Sequence, residues 1–291
     1  IDTNVYLPGD FAPEDLRQRE GTFTTNVDGV GQAGGYAALG YARLGRRVGF
    51  VGFVGDDPLG HWVGSELQAA GVEPLLFTDP AGTCRSVNLM RADGTRNNFY
   101  DGKSHMTVEP DLETCRRFIS GARLLHLHIP NWGRALIPIA KALGVKIACD
   151  LQDVREVRDP YRSDFIRGAD ILFCSTVESK DDEALARALA ALNPRATIVL
   201  GRGARGAALY RSDHGFQSFP PVRAGDPVVD TNGAGDSLAV GFLVAHVLEG
   251  RPVETAIAWG QTAARHACTL RGDSASQLIT RAELEASLGP E

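Results

Sequence analysis

The chain has 291 residues, 43% of them apolar and 23% charged, with a net charge of −6. That balance fits one large α/β domain, and its acidic sign excludes the basic surface that binds nucleic acid non-specifically. No apolar run reaches membrane-spanning length and no signal-peptide pattern appears, so no membrane partner is expected.

The chain opens without Met on a strand-like segment, IDTNVYL (1–7), which implies that residues precede it. GTFTTNVDGV (21–30) alternates like a strand, and GGYAALGYARLG (34–45) reads as a helix ending at Gly45, a C-cap. GRRVGFVGFVG (45–55) is a strand, and LGHWVGSELQAAGV (59–72) sets Trp62, Val63, Leu67 and Ala70 at helical spacing. CRSVNLMRADGTRNNFYD (84–101) alternates about Asp93-Gly94, the mark of a hairpin. Strands follow at 122–129, 145–151, 169–175, 197–201 and 206–211. ESKDDEALARALAALN (178–193) begins acidic and stops at Asn-Pro, as a helix does. A last apolar helix runs from Asp236 to Leu248, closed by Gly250 and Pro252. Strands alternating with helices imply a mostly parallel sheet covered on both faces. The helix-free segments imply a small separate β-sheet. Cys84, Cys115, Cys149, Cys174 and Cys268 are scattered and form no C-x-x-C pair, which points to a reducing, cytoplasmic setting.

Three motifs fail on context. GRGARG (201–206) has the letters of a dinucleotide fingerprint, but AALYRSDHG follows as a strand where a helix is required. GKS (102–104) lacks the P-loop glycine, because that position is Asn97. DTNGAGD (230–236) lacks the acidic ligands of a calcium loop at Ala234 and Gly241. The same stretch has another reading. Its glycines bare backbone N–H groups at a helix start, where anions bind, and Asp236 stands beside them. Phosphoryl transfer needs both: amides for the moving phosphoryl group and a carboxylate to accept the hydroxyl proton. By spacing alone, Asp236 as a plain N-cap competes with this reading. Asp230, on the preceding turn, is free to bind a cation or to hold the loop.

DTNGAGDS (230–237) resembles the D-T-x-G-A-G-D signature of the ribokinase-like (PfkB) carbohydrate kinase family. GQAGGYAALGYARLG (31–45) is similar to that family's glycine-rich N-terminal motif, and VGFVGDDPLGHWVGSELQAAGV (51–72) to its G-x-V-G-x-D-x-x-G segment. RADGTR (91–96), VLGRGARGA (199–207) and RGDS (271–274) resemble the family's lid hairpin, nucleotide-edge turn and closing segment. The resemblance covers essentially the whole chain. It implies a single ribokinase-like domain over 1–291: a doubly wound, mostly parallel sheet flanked by helices. A small β-lid is drawn from about 3–8, 21–30 and 84–101. It implies transfer of the ATP γ-phosphoryl group to a sugar hydroxyl, with Mg²⁺ and a possible K⁺ requirement.

Residue by residue, the resemblance makes Asp236 the base and Gly233, Ala234 and Gly235 the anion hole. It places substrate at Asp2, Asn4, Gly31, Gln32, Tyr36 and His128. It places nucleotide at Ser175, Gly201, Gly203, Gly206, Gln261 and Gly272, and metal at Glu178 and Asp230. A homodimer through the lid is implied as well. Asp2 on a strand end, His128 in a strand and Glu178 at an acidic helix start each also have an ordinary structural reading. The chain departs from the pattern at Gln32, where the family has its second hinge glycine, and at Tyr36, where it has Asn. It departs again at Ser175 and in DLQDVR (150–155). Tyr36 either stacks on a sugar, fills space or marks another acceptor, so a nucleoside kinase stays open. So does a non-catalytic carbohydrate-binding protein on the same scaffold.

Overall fold

The computed structural model describes residues 1–289 except 10, 11, 13, 19, 155, 177, 178, 223–226 and 272–277. The chain divides into two compact units. One comprises residues 1–104, 224–234 and 263–286, the other 105–223, 235–262 and 287–291.

The first unit holds β1 (Asp2–Tyr6), α1 (Asp15–Gln18), β2 (Thr25–Gly29), α2 (Gln32–Arg43), β3 (Val48–Val54), α3 (Pro58–Ala69), β4 (Val72–Thr78), β5 (Arg85–Met90) and β6 (Arg96–Asp101). A four-stranded sheet runs β2-β1-β5-β6, and a parallel pair joins β3 to β4. The hairpin read at Asp93-Gly94 joins β5 to β6, with the Asp93 carboxylate accepting from the Thr95 N–H at 2.9 Å. The helix read over 34–45 runs two residues earlier. It closes with Gly45 N–H on the Ala42 carbonyl and Arg46 N–H on that of Tyr41, a Schellman closure. The GDDPLG segment starts α3: Asp57 accepts from the Gly60 N–H at 2.8 Å, and Pro58 takes the first turn. β4 has no counterpart in the sequence reading, because VEPLLFT carries Pro74 and lacks alternation. Proline fits because, among the described residues, β4 pairs with β3 on one side only. Ile1, Val30, Tyr36, Leu39, Val63, Leu67 and Leu278 form a buried core here.

The second unit holds α4 (Leu112–Ile119), β7 (Leu124–Leu127), α5 (Leu136–Ala142), β8 (Lys146–Asp153), α6 (Ser163–Gly168), β9 (Ile171–Ser175), α7 (Asp182–Leu192), β10 (Thr197–Gly201), β11 (Ala207–Arg211) and β12 (Gly215–Phe219). They form a six-stranded sheet, β12-β11-β10-β9-β8-β7, parallel from β7 to β10 and antiparallel at β11 and β12. β8, β9 and β10 read as near-continuous apolar runs because both faces are covered, as parallel strands require. β12, missed in the sequence, is a half-exposed edge strand. Next come α8 (Ala234–Leu243), one π-helical turn (Val244–Leu248) and α9 (Val253–Ala267). The helix read over 236–248 therefore changes pitch after Leu243. Gly241 lets α8 approach α9 closely: a Cβ there would lie 2.8 Å from the Gly260 Cα. Among the described residues, no helix is long and apolar enough to cross a membrane.

Candidate active site

In open α/β sheets, ligands gather at the carboxyl ends of parallel strands. In the second unit those ends carry His128 just past β7, Asp150 on β8, Ser175 closing β9 and Gly201 closing β10. The end of β8 is irregular. Its register against β9 shifts between Asp150 and Asp153, and Gln152 takes a left-handed φ of 59°. The Gln152 N–H donates to the Asp150 carboxylate at 2.7 Å. Such bulges re-aim side chains beside functional sites. Asp236 sits in the first turn of α8. A ring nitrogen of His128 and carboxylate oxygens of Asp150 and Asp236 all lie within 4.8 Å of one another.

Burial sets the electrostatics of this group. It lowers the His128 pKa to about 4, so the ring is neutral at pH 7, and among the described residues neither ring nitrogen has a hydrogen-bond partner. His126, whose ring centroid is 4.8 Å from that of His128, is lowered further by burial and by its neighbour. Burial pushes Asp150 up to about 6; the Gln152 N–H opposes this and the Asp153 charge adds to it. Asp150 was read only as part of the loose DLQDVR match. Its signal was a carboxylate closing the apolar run VKIACDL. The trio offers a carboxylate as proton acceptor next to first-turn amides that have no intrahelical acceptor. The same three donors can hold a divalent ion. An imidazole suits a transition ion, whereas Mg²⁺ takes oxygen ligands and keeps its waters.

Asp150 yields a pH prediction. Its folded pKa is raised above the unfolded value near 3.9, so the native state loses stability as pH rises from about 4 to about 6 and stays lower above that. Asp150→Asn removes the cost. Its melting temperature is expected to exceed wild type at pH 8 and to converge with it below pH 4. A difference that does not change with pH refutes this account of Asp150.

The turn between β10 and β11 carries GRGARG. It joins antiparallel strands, which confirms that the dinucleotide reading fails. Gly206, at φ 87°, admits no side chain, because a Cβ would lie 2.3 Å from the Phe219 carbonyl oxygen. Arg202 N–H donates to the Gly206 carbonyl at 2.9 Å, and Gly206 N–H to that of Gly203 at 3.0 Å. Buried Asp182, which the sequence reading passed over, clamps the turn through Arg202 Nε at 2.7 Å and Arg205 Nη1 at 2.8 Å. Gln261 is buried in α9. Glu178 and Gly272 lie outside the described residues.

In the first unit, buried Asp2 accepts from the Gln32 N–H at 3.0 Å. Burial raises its pKa; the Gln32 N–H, the Tyr36 hydroxyl and Arg96 oppose the rise. Gly31 lies so close that a Cβ would stand 2.5 Å from the Asp2 Oδ2. Gln32 holds a φ of 52°, a region that favours glycine, which is the physical reason a hinge glycine suits this position. Tyr36 is 3% exposed, and its ring lies beneath Gly233. It fills the space beneath the glycine turn, one of the readings left open for it.

Asp230 is 0% exposed. Its carboxylate accepts from the Tyr6 hydroxyl at 2.7 Å and from the Asn232 N–H at 2.8 Å. These two bonds let Asp230 hold the loop, one of the two roles left open for it. Asn4 Oδ1 accepts from Asn88 Nδ2 at 2.9 Å and Asn232 Nδ2 at 3.1 Å. Neither partner stood out in the sequence.

Comparison with known proteins agrees with this geometry. The family model described as pfkB family carbohydrate kinase matches residues 10–281. Acarbose 7(IV)-phosphotransferase of Actinoplanes sp. is 32% identical over 88% of this chain and 85% of its own length. The solved structure of a microbiome-derived acarbose kinase is 30% identical, with a TM-score of 0.84 over 97% of this chain and 95% of that one. The Arabidopsis thaliana ribokinase structure is 22% identical, with a TM-score of 0.78 over 100% and 96% of the two chains, a likeness of fold.

Proposed function

This chain belongs to the pfkB family of carbohydrate kinases, with a ribokinase-like fold, and from that membership we propose the roles of its residues. The enzyme transfers the γ-phosphoryl group of ATP to a hydroxyl of a sugar and, as its family implies, uses a divalent metal. Asp236 accepts the proton of the attacking hydroxyl. Amides of Gly233, Ala234 and Gly235 stabilise the charge on the phosphoryl group. Asp2 and Asn4 hold acceptor hydroxyls, and Gly31, Gln32 and Tyr36 position Asp2. His128, neutral and without a partner among the described residues, offers a ring nitrogen to the acceptor. Ser175, Gly201, Gly203, Gly206 and Gln261 form the nucleotide side, and Asp182 positions its turn. The single observation that carries the reading is Asp236 beside a glycine-bared helix start, grouped with His128 and Asp150.

We infer that the metal is Mg²⁺, which when bound neutralises phosphate charge. Glu178 and Asp230 are its proposed carboxylates. The sugar kinases among its relatives favour a sugar over a nucleoside as acceptor. A panel of mono-, di- and oligosaccharides and nucleosides, read by ADP formation, tests the function. ADP with sugars is expected. ADP with nucleosides alone overturns the sugar reading, and thermal stabilisation by sugars without ADP overturns the enzyme.

We read the four-stranded sheet as the family's lid and as a homodimer surface. The face opposite Asp2 carries Val5, Val87 and Leu89, half-buried, and Phe99, 58% exposed. A second copy would cover that apolar patch. Light scattering is expected to give a dimer for the wild type and a monomer for Phe99→Asp; a monomeric wild type excludes it. Use of ATP and five unpaired thiols support a cytoplasmic setting.

A further inference from the structure

The polar face of the four-stranded sheet continues beyond Asp2 and Asn4. Register sets Asp2, Ser86 and Tyr100 in one row across β1, β5 and β6. It sets Asn4, Asn88 and Asn98 in the next, and Tyr6, Met90 and Arg96 in the third. Directly opposed residues share a face, so all nine side chains lie on the face of Asp2. The inner two strands of this face are buried. On the outer strand, β6, every residue is exposed.

The middle row is a ladder of amides whose direction one atom decides. Asn232 Nδ2 donates both to Asn4 Oδ1 at 3.1 Å and to the Met90 sulfur at 3.3 Å. A thioether has no proton to give, so the NH₂ end of Asn232 must face it. Asn4 therefore presents its carbonyl oxygen, which also accepts from Asn88 Nδ2 at 2.9 Å. The Asn88 oxygen in turn accepts from Asn98 Nδ2 at 2.8 Å. Each link inherits its sense from the one before, because a buried amide left unpaired is costly. The ladder ends on the open strand at Asn98, whose carbonyl oxygen keeps its capacity to accept. Tyr100, 49% exposed, stands two residues along on the same face. Arg96 stands two residues the other way, with Nη1 on the Thr231 hydroxyl at 3.0 Å.

We propose that Arg96, Asn98 and Tyr100 form a subsite for a second sugar ring, so that the preferred acceptor is an oligosaccharide or glycoside. A sugar hydroxyl donates to Asn98 Oδ1, the C–H face of the ring lies on Tyr100, and Arg96 donates to sugar oxygens. β6 lies two strand spacings from β1, roughly 9–10 Å, a span that suits two linked rings. The polar row is continuous from Asp2 and Asn4, which commits the occupant to the acceptor itself. The proposal rests on the sugar-kinase reading and on Asp2 and Asn4 as acceptor ligands.

The test compares kcat/KM for glucose, maltose, maltotriose and acarbose in wild type, Tyr100→Ala, Tyr100→Phe and Asn98→Ala. The wild type is expected to favour the longer acceptors. Tyr100→Ala is expected to raise their KM about tenfold with kcat little changed, and so to cut the ratio of long to short acceptors. Tyr100→Phe, which keeps the ring, is expected to retain the wild-type ratio. A wild type that handles glucose as well as maltotriose or better overturns the subsite while the kinase stands, and needs no variant to fold. Equal losses on all acceptors in Tyr100→Ala also overturn it. Absence of ADP with every sugar overturns the kinase reading and the subsite with it.

Discussion

Asp236→Asn is expected to lower kcat by about 10²–10⁴-fold, with little change in sugar KM and a melting temperature close to wild type. Asn keeps the shape, the helix position and the capacity to accept a hydrogen bond. It loses only the capacity to take a proton at neutral pH. The carboxylate is half-buried in the first turn of α8, where the helix dipole favours negative charge by roughly 0.3–1 kcal/mol, so stability changes little. ADP release measured beside a thermal melt separates catalysis from folding. Turnover within tenfold of wild type in a folded variant would remove Asp236 as the base, and His128 and Asp150 would then need a different chemistry.

Gly233→Ala is the second large effect. The residue holds a φ of 69°, and an added Cβ would lie 2.6 Å from the Tyr36 ring. Left-handed strain adds roughly 1–2 kcal/mol for a residue with a Cβ. The clash adds roughly 1–3 kcal/mol, because a buried ring cannot retreat without disturbing its packing. Together these predict a melting temperature lower by about 5–10 °C. They also predict a loss of about 10²-fold in kcat, since a 1 Å displacement of positioning amides costs about that much. The two contributions can be separated. Tyr36→Asn removes the ring, so in that background Gly233→Ala should cost only the strain. Strictly additive melting temperatures across the four proteins would show that ring and glycine do not meet.

The sequence could not reveal that contact, because residues 36 and 233 are far apart in the chain. Tyr36 read as an anomaly: an aromatic where its family has Asn. Its burial explains why it is tolerated, since the ring supports the glycine loop. Asp230 shows the same limit. Its place before the glycine loop gave no sign of the hydroxyl that it meets on Tyr6, in β1. Gln32 was legible as a departure, but its left-handed backbone was not, since conformation at one residue follows from what holds the residues around it.

Local chemistry was enough for the alternation of strands and helices, the Asp93-Gly94 hairpin and the carboxylate beside bare amides at the start of α8. Each depends on neighbours within a few residues, where spacing and side-chain type set the outcome. Tertiary structure alone decided which polar groups meet: His128 with Asp150 and Asp236, Asp182 with two arginines, and four asparagines ordered by one sulfur. Those meetings depend on strand register and on desolvation. Both are properties of the packed chain, where burial makes every polar partner count, and neither is written in any local stretch of residues.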